Sequence, residues 1–508
     1  MAPANLSVAS LVAVSVASSL LMGGCFRAME PSPNGVGVAE PAEIVQPDVA
    51  WLDHKTMPVP REGAGVVATL GADRPASPPS DPPSDARVGP LPPLHVDSEV
   101  VAPGAVRLRE TATVFAEPDA SSPALGLIAA GARLAVVERV IADGCPQAWL
   151  GVAPYGYVCS TFEESATPVS AELLPHVPKG RRVPGTYGRV SKTAQIYASL
   201  DDARLGIGGH APGTSLMVRR MRRVKAGGAS FWKTRQGWIA SHQIRKFSGS
   251  RWHGVPLGSG AEDALTLPLA WVLPEAMLAK VAVKETPSRG GKVLRRLSRR
   301  ELVELSTGVL DHGHFELRGG GYIEKSRLAV AKRTERPDAA GVEERWLDID
   351  VSEQTLVAYE GDTPVYVTMI SSGKAGHSTP TGVFRLSRKV AERTMKSMAD
   401  SKESYSVAKV PWTVYFATGY ALHASYWHDG FGNKKSHGCV NLSPLDARAL
   451  YAWTAPLVAP GWSEVYGHAE QPGSVVRIRS RRTPEQVTRG YAKTMLEAQA
   501  APTVLAQR

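Results

Sequence analysis

From residue 105 onward, hydrophobic positions recur at every second residue in short runs bounded by Gly, Pro, Asp and Ser. Examples are Ala112-Thr113-Val114-Phe115 and Trp346-Leu347-Asp348-Ile349-Asp350-Val351. A period of two sends alternate side chains to opposite faces, so these runs predict half-buried β-strands. Helical signals are few. Ser443-Pro444-Leu445-Asp446 opens one helix, expected to run to about Thr454. Ser443 suits the N-cap, Pro444 the first helical position, and Asp446 the positive end of the dipole. Asp446 therefore reads as structural. Lys389 to Ser406 is polar and contains Met, and reads as a helix or a flap. The tail holds one short helix. The fold class is mainly β.

Three stretches share one pattern. The first starts near Ala112-Thr113-Val114-Phe115-Ala116 and ends at Gly156-Tyr157-Val158. The second runs from Ala194-Gln195-Ile196-Tyr197 to Gly237-Trp238-Ile239, and the third from Val281-Ala282-Val283-Lys284 to Gly321-Tyr322-Ile323. Short strands at even spacing with turn signals suggest small barrels. The pattern resembles bacterial SH3-like modules, placed at 105–165, 183–248 and 268–330. Their role reads equally as ligand binding or as spacing. A larger β domain follows at 343–480, then a tail at 481–508. In the β domain, Gln354 to Tyr359 and Pro364 to Ile370 flank the turn Glu360-Gly361-Asp362, which predicts a hairpin.

The region before residue 105 has a different composition. Leu6 to Gly24 is apolar, small and uncharged, and ends at Met22-Gly23-Gly24-Cys25. This reads as an export leader over 1–25 that resembles a lipoprotein processing site, with Cys25 lipidated. Residues 26–104 are rich in Pro, Ala, Gly and Ser without a sustained period, which predicts an unfolded tether. No later segment is apolar for long enough to span a bilayer. The expected location is the periplasm, anchored to membrane.

Export changes the meaning of the four cysteines. Cys145 and Cys159 lie close together in one module and can pair. Cys439 is left unpaired in an oxidising compartment, which points to a reactive thiol. The net charge of +10 has dense contributions from Arg219, Arg220, Arg222, Arg223 and Lys225, and from Arg295, Arg296, Arg299 and Arg300. These face either solvent or an anionic polymer or lipid. Nucleic acid is not expected as a partner outside the cytoplasm.

Cys439 lies in Ser436-His437-Gly438-Cys439-Val440-Asn441-Leu442, after a strand-like run ending in His423. A thiol needs a base to become a nucleophile, and imidazole is one. Gly438 lets backbone amides approach an oxyanion. Four features occur in order: the hairpin, the turn Thr379-Pro380-Thr381-Gly382, the strand ending in His423, and the Cys439 stretch. Together they resemble the YkuD-type L,D-transpeptidase catalytic domain over about Arg345 to Arg479. The resemblance implies a β-sandwich and action on peptidoglycan stem peptides. It implies Cys439 as nucleophile and His423 as base and acid. His437 and the amides of Gly438 and Cys439 would shape the oxyanion site, with Ser436, Asn441 and Tyr426 near substrate. Relatives commonly have Gly or Ser after the His. Here it is Ala424, so orientation of the imidazole is expected from a backbone carbonyl. His377 and His428 read as loop residues. No cofactor or metal is implied, and the chain is expected to be a monomer. The alternatives are an L,D-carboxypeptidase or hydrolase, a protein-to-peptidoglycan ligase, a zinc site on Cys439, His437, His423 and His428, and a non-catalytic wall-binding lipoprotein.

Overall fold

The computed structural model describes residues 105–165, 170, 173–258, 265–397, 404–483 and 487–500. The leader with Cys25 and the tether 26–104 lie outside the described residues. Among the described residues, no helix is long and apolar enough to cross a membrane.

The C-terminal half is a two-sheet β structure. Its elements are β1 (Arg345–Asp350), β2 (Thr355–Glu360), β3 (Thr363–Met369), β4 (Gly382–Arg385), β5 (Arg388–Lys396), β6 (Tyr405–Ala417), β7 (Tyr420–Ala424), β8 (Val440–Leu442), α1 (Pro444–Trp453), β9 (Trp462–Tyr466), β10 (Val475–Arg479) and α2 (Gly490–Ala500). One sheet runs β3-β2-β1-β10-β4, with Val255–Pro256 added at the β3 edge. The other is built on β6, which pairs with β5 and β7, and β7 pairs with β8. Lys389 to Ser406 is thus the arms of a hairpin. Val390, Ala391 and Met395 bury themselves there, and Lys396 pairs with Ser406.

One core lies between the sheets. It joins Leu347, Ile349 and Phe384 to Trp412, Phe416, Leu422 and Val440, with Leu450 and Tyr451 of α1. The outer face of the first sheet is also covered. There Trp346, Val357 and Val367 meet Leu269, Trp271 and Ala329 of the third N-terminal stretch. Burial on both faces explains why Asp348, polar in the alternating pattern, is 1 % exposed. A buried carboxylate needs partners. Arg477 supplies one at 2.7 Å and Arg479 another at 2.9 Å.

The three likened stretches share one pairing. In each, the first strand runs antiparallel to the last: Val114 opposite Val158, Ile196 opposite Ile239, and Lys284 opposite Tyr322. In each, a glycine with positive φ stands at or just before the start of the last strand: Gly156, Gly237 and Gly321. A Cβ at these glycines would lie 2.5, 2.4 and 2.6 Å from an atom of the opposing first strand. Such contact admits only glycine. Cys145 and Cys159 of the first stretch are joined, with Cα atoms 5.6 Å apart.

These stretches are packed against the C-terminal half, not strung out as beads. Ala124–Ile128 of the first pairs with β9. Ser215–Met217 of the second pairs in parallel with Tyr405–Val407 of β6, on the same edge that β7 occupies further along.

Candidate active site

β7 and β8 run parallel, with Leu422 opposite Val440 and His423 opposite Asn441. Leu422, Ala424, Val440 and Leu442 enter the inter-sheet core. Alternation therefore turns His423, Asn441 and Cys439 to the opposite face. Cys439 immediately precedes β8, one side-chain repeat from Asn441 on that face. Among the described residues it is the cysteine outside the Cys145–Cys159 disulfide, and it is buried. Its Sγ lies 3.8 Å from the carbonyl of Gly419, so the resting thiol has a weak acceptor.

His423 is 3 % exposed. Burial pushes its pKa down to about 4, so the imidazole is neutral near pH 7. Nδ1 lies 3.3 Å from the carbonyl oxygen of Ala424. A carbonyl only accepts, so Nδ1 carries the proton and Nε2 keeps a lone pair. This tautomer is the one a base requires, and its partner is the backbone carbonyl of the unusual Ala424.

The turn before Cys439 is held by short polar contacts. Ser436 Oγ donates to the Cys439 carbonyl and accepts from the Gly438 N–H. Ser436 is thus a clip for the turn, and the Gly438 amide points to it instead of to an oxyanion. Thr379 Oγ1 donates to the Gly438 carbonyl at 2.7 Å and accepts from Gly373 N–H at 2.9 Å. Gly438 has φ +121°, and a Cβ there would lie 2.7 Å from the Tyr420 ring. Ser371 exchanges both backbone hydrogen bonds with Asn441. Of these partners only Thr379 falls in the sequence pattern, where it reads as the start of a turn; Ser371 and Gly373 do not.

The remaining named residues divide. His437 packs against Tyr405 and His377, with ring centroids at 5.0 and 4.6 Å. Tyr426 is 2 % exposed, stacks on Tyr187 at 3.9 Å and donates to the Ala408 carbonyl. It packs the second stretch onto the domain and presents no face to a substrate, because Tyr187 covers it. His428, read as a loop residue, is held at 2.9 Å from the Asn441 side chain. Its pKa is also pushed down to about 4, by burial and then by Lys435 and His423. Among the described residues, no three His, Cys, Asp or Glu side chains gather to hold a metal ion. The imidazoles of the zinc alternative face other partners.

Asp446 is fully buried at the start of α1. Ser443 caps the helix by accepting from Asp446 N–H. The Asp446 carboxylate accepts from Gly254 N–H at 2.9 Å, Tyr366 O–H at 2.7 Å and Thr368 O–H at 2.7 Å. It is a junction between α1, β3 and the segment before the third stretch, a larger role than the helix dipole alone implies.

The domain is mainly β, with a buried cysteine outside any disulfide and a neutral, oriented imidazole near each other on neighbouring parallel strands. Residues 344–478 match the YkuD family, the L,D-transpeptidase catalytic domain. The putative L,D-transpeptidase YciB of Bacillus subtilis is 27% identical over 135 residues, which cover 21% of this chain and 59% of that protein. The chain thus spans less than two thirds of that relative's length. Among solved structures, the E. faecium L,D-transpeptidase catalytic domain acylated by ertapenem is 24% identical. The likeness covers 28% of this chain and 100% of that one, with a TM-score of 0.22. The Mycobacterium smegmatis L,D-transpeptidase is 22% identical over 27% of this chain and 58% of that one, with a TM-score of 0.22. It is the family match that marks residues 344–478 as an L,D-transpeptidase-type catalytic domain.

Proposed function

We propose that the protein is a peptidoglycan L,D-transpeptidase with Cys439 as nucleophile and His423 as base and acid. The observation that carries this is the shared face of Cys439 and His423, with the Nδ1 proton of His423 held by Ala424. Nε2 takes the Sγ proton, and the thiolate attacks the carbonyl of the L-centre in a stem tetrapeptide. The C–N bond breaks, and the imidazolium returns its proton to the departing D-residue's amine. A diamino-acid side-chain amine then attacks the thioester, loses a proton to His423, and releases the thiol. Oxyanion stabilisation falls to the Cys439 amide and to His437. Water in place of the amine gives the carboxypeptidase, and a protein amine gives the ligase.

The exported, lipid-anchored placement is part of this reading. Met22-Gly23-Gly24-Cys25 supports it, and Cys25→Ser should move the protein to the soluble fraction.

The test is purified disaccharide-tetrapeptide in and cross-linked dimer out, read by mass spectrometry. Cys439→Ala should abolish product and carbapenem adduct alike. His423→Ala should leave a thiol that still alkylates at high pH, with turnover down by about 10² to 10⁴. Full turnover in Cys439→Ala overturns the proposal.

A further inference from the structure

The positive charge of this chain is concentrated in one place. Residues 179–251 hold 16 Lys and Arg against Asp201 and Asp202 alone. The whole chain has 58 against 48, so the remainder has 42 against 46 and is net negative. The basic stretch is the one whose strand joins β6 beside the candidate site.

Within it, three arginines converge without a counter-charge. Arg220 ends the strand Ser215–Arg220 and lies opposite Thr186. Arg181 donates to Thr186 Oγ1 at 2.8 Å. Arg223 lies opposite Trp232, and the Arg220 guanidinium sits 4.3 Å over that same ring. Arg220 Nε is buried and has no hydrogen-bond partner. Burial, then Arg223 and Arg181, lower its pKa. None of the three meets a carboxylate among the described residues, whereas the adjacent Arg219 pairs with Glu392 at 3.3 Å. Like charges packed this way repel one another, and an anion bound among them relieves that repulsion.

We propose that Arg181, Arg220 and Arg223, set around Trp232 and Thr186, form a docking site for stem-peptide carboxylates of a peptidoglycan strand, outside the catalytic centre. Guanidinium forks match carboxylates in a bidentate fashion. The choice of carboxylate rests on the transpeptidase reading, since every uncross-linked tetrapeptide ends in one. Arg220 lies three residues beyond Met217, which pairs with Val407 of β6. The ladder is parallel and Ser215 lies opposite Tyr405, so at about 3.3 Å per residue the site is roughly 17 Å along the strand from Tyr405. Tyr405, two residues before Val407, rests on His437. A strand docked on the arginines therefore lies within reach of Cys439.

The experiment is co-sedimentation of the full chain with purified peptidoglycan at low and high salt. Arg181→Gln/Arg223→Gln should weaken binding by about tenfold or more and flatten its salt dependence. Turnover of the small soluble disaccharide-tetrapeptide should stay within about twofold, because neither residue touches the chemistry. Arg223→Gln alone, checked by its melting curve, guards against misfolding of the double variant. Peptidoglycan with amidated carboxylates should release the parent protein. Undiminished binding by the variants, or equal binding to amidated wall, overturns the proposal. So does capture by sodium polyphosphate with no binding to wall, which would assign the site to phosphate. An inactive parent that still binds wall through these arginines would sink the transpeptidase reading and leave the docking site standing.

Discussion

The side chains of Asn441 and His428 meet at 2.9 Å. His428 Nδ1 accepts from Gly430 N–H at 3.2 Å, so a neutral ring must carry its proton on Nε2. The atom of Asn441 placed against Nε2 is Nδ2, which gives two donors facing each other. Turning the amide over presents its oxygen instead and resolves the clash. Asn441 then ties the loop after β7 to the strand position opposite His423.

Asn441→Ala leaves the buried Nε2–H of His428 without an acceptor and should cost about 1–3 kcal/mol. Asn441→Asp keeps an acceptor and should be the milder change near pH 7. Thermal unfolding of both variants decides it. If the Asp variant is the worse of the two, the amide oxygen is not what holds His428 Nε2.

His423 has a folded pKa of about 4 against roughly 6.5 unfolded. Between these values the unfolded chain binds a proton that the folded chain does not. Stability should therefore rise with pH across this window and be lost as pH falls through it, by roughly 3 kcal/mol in full. Urea midpoints at pH 7 and 4.5 should differ less in His423→Gln than in the parent. The acid limb of kcat/KM should fall nearer 4 than 6.5. An acid limb at 6.5 would mean that the buried, neutral imidazole is not the working base.

Asp446→Ala leaves Gly254 N–H and two buried hydroxyls without their acceptor. At about 1–3 kcal/mol for each unsatisfied group, with partial relaxation, the loss should exceed roughly 3 kcal/mol. A melting temperature within a few degrees of the parent's would reduce Asp446 to a helix-end charge.

Arg300 of the third stretch grips Asp429, two residues before Phe431, with both nitrogens of its fork at 3.0 Å. Ser250 donates to the same carboxylate. Asp429 adjoins His428, so the third stretch braces the loop that reaches Asn441. A double-mutant cycle of Arg300→Ala with Asp429→Ala should give a coupling of about 1 kcal/mol. Arg300 has φ +65°. Arg300→Gly removes the fork but also relieves the backbone, and should be more stable than Arg300→Ala by about 1 kcal/mol.

Local chemistry was legible in the sequence where neighbours along the chain supply the physics. Ser443 and Pro444 begin α1 as their residue types dictate. The alternating runs form strands, and Ala424 offers the carbonyl that its lack of a hydroxyl required. What stayed hidden is set by residues far apart. Asp446 shows only a helix start, because its partners lie 78, 80 and 192 positions away. Tyr426 resembles a substrate platform until Tyr187 is seen lying on it. Thr379 sits in a recognisable turn, but nothing local says that it clamps Gly438. The polar run after Lys389 lacks strand character on its own and gains it by pairing with β6.

The parallel ladder between Ser215–Met217 and Tyr405–Val407 also bears on how the protein can be taken apart. The family match begins at residue 344, yet that point in the chain is not a seam in space. A fragment trimmed there would carry bare backbone edges at β6 and β9, and an uncovered apolar face at Trp346 and Val367. Exposed edges of this kind recruit other chains. The N-terminal stretches are walls of the C-terminal half, and a trimmed chain should clump before it can be assayed.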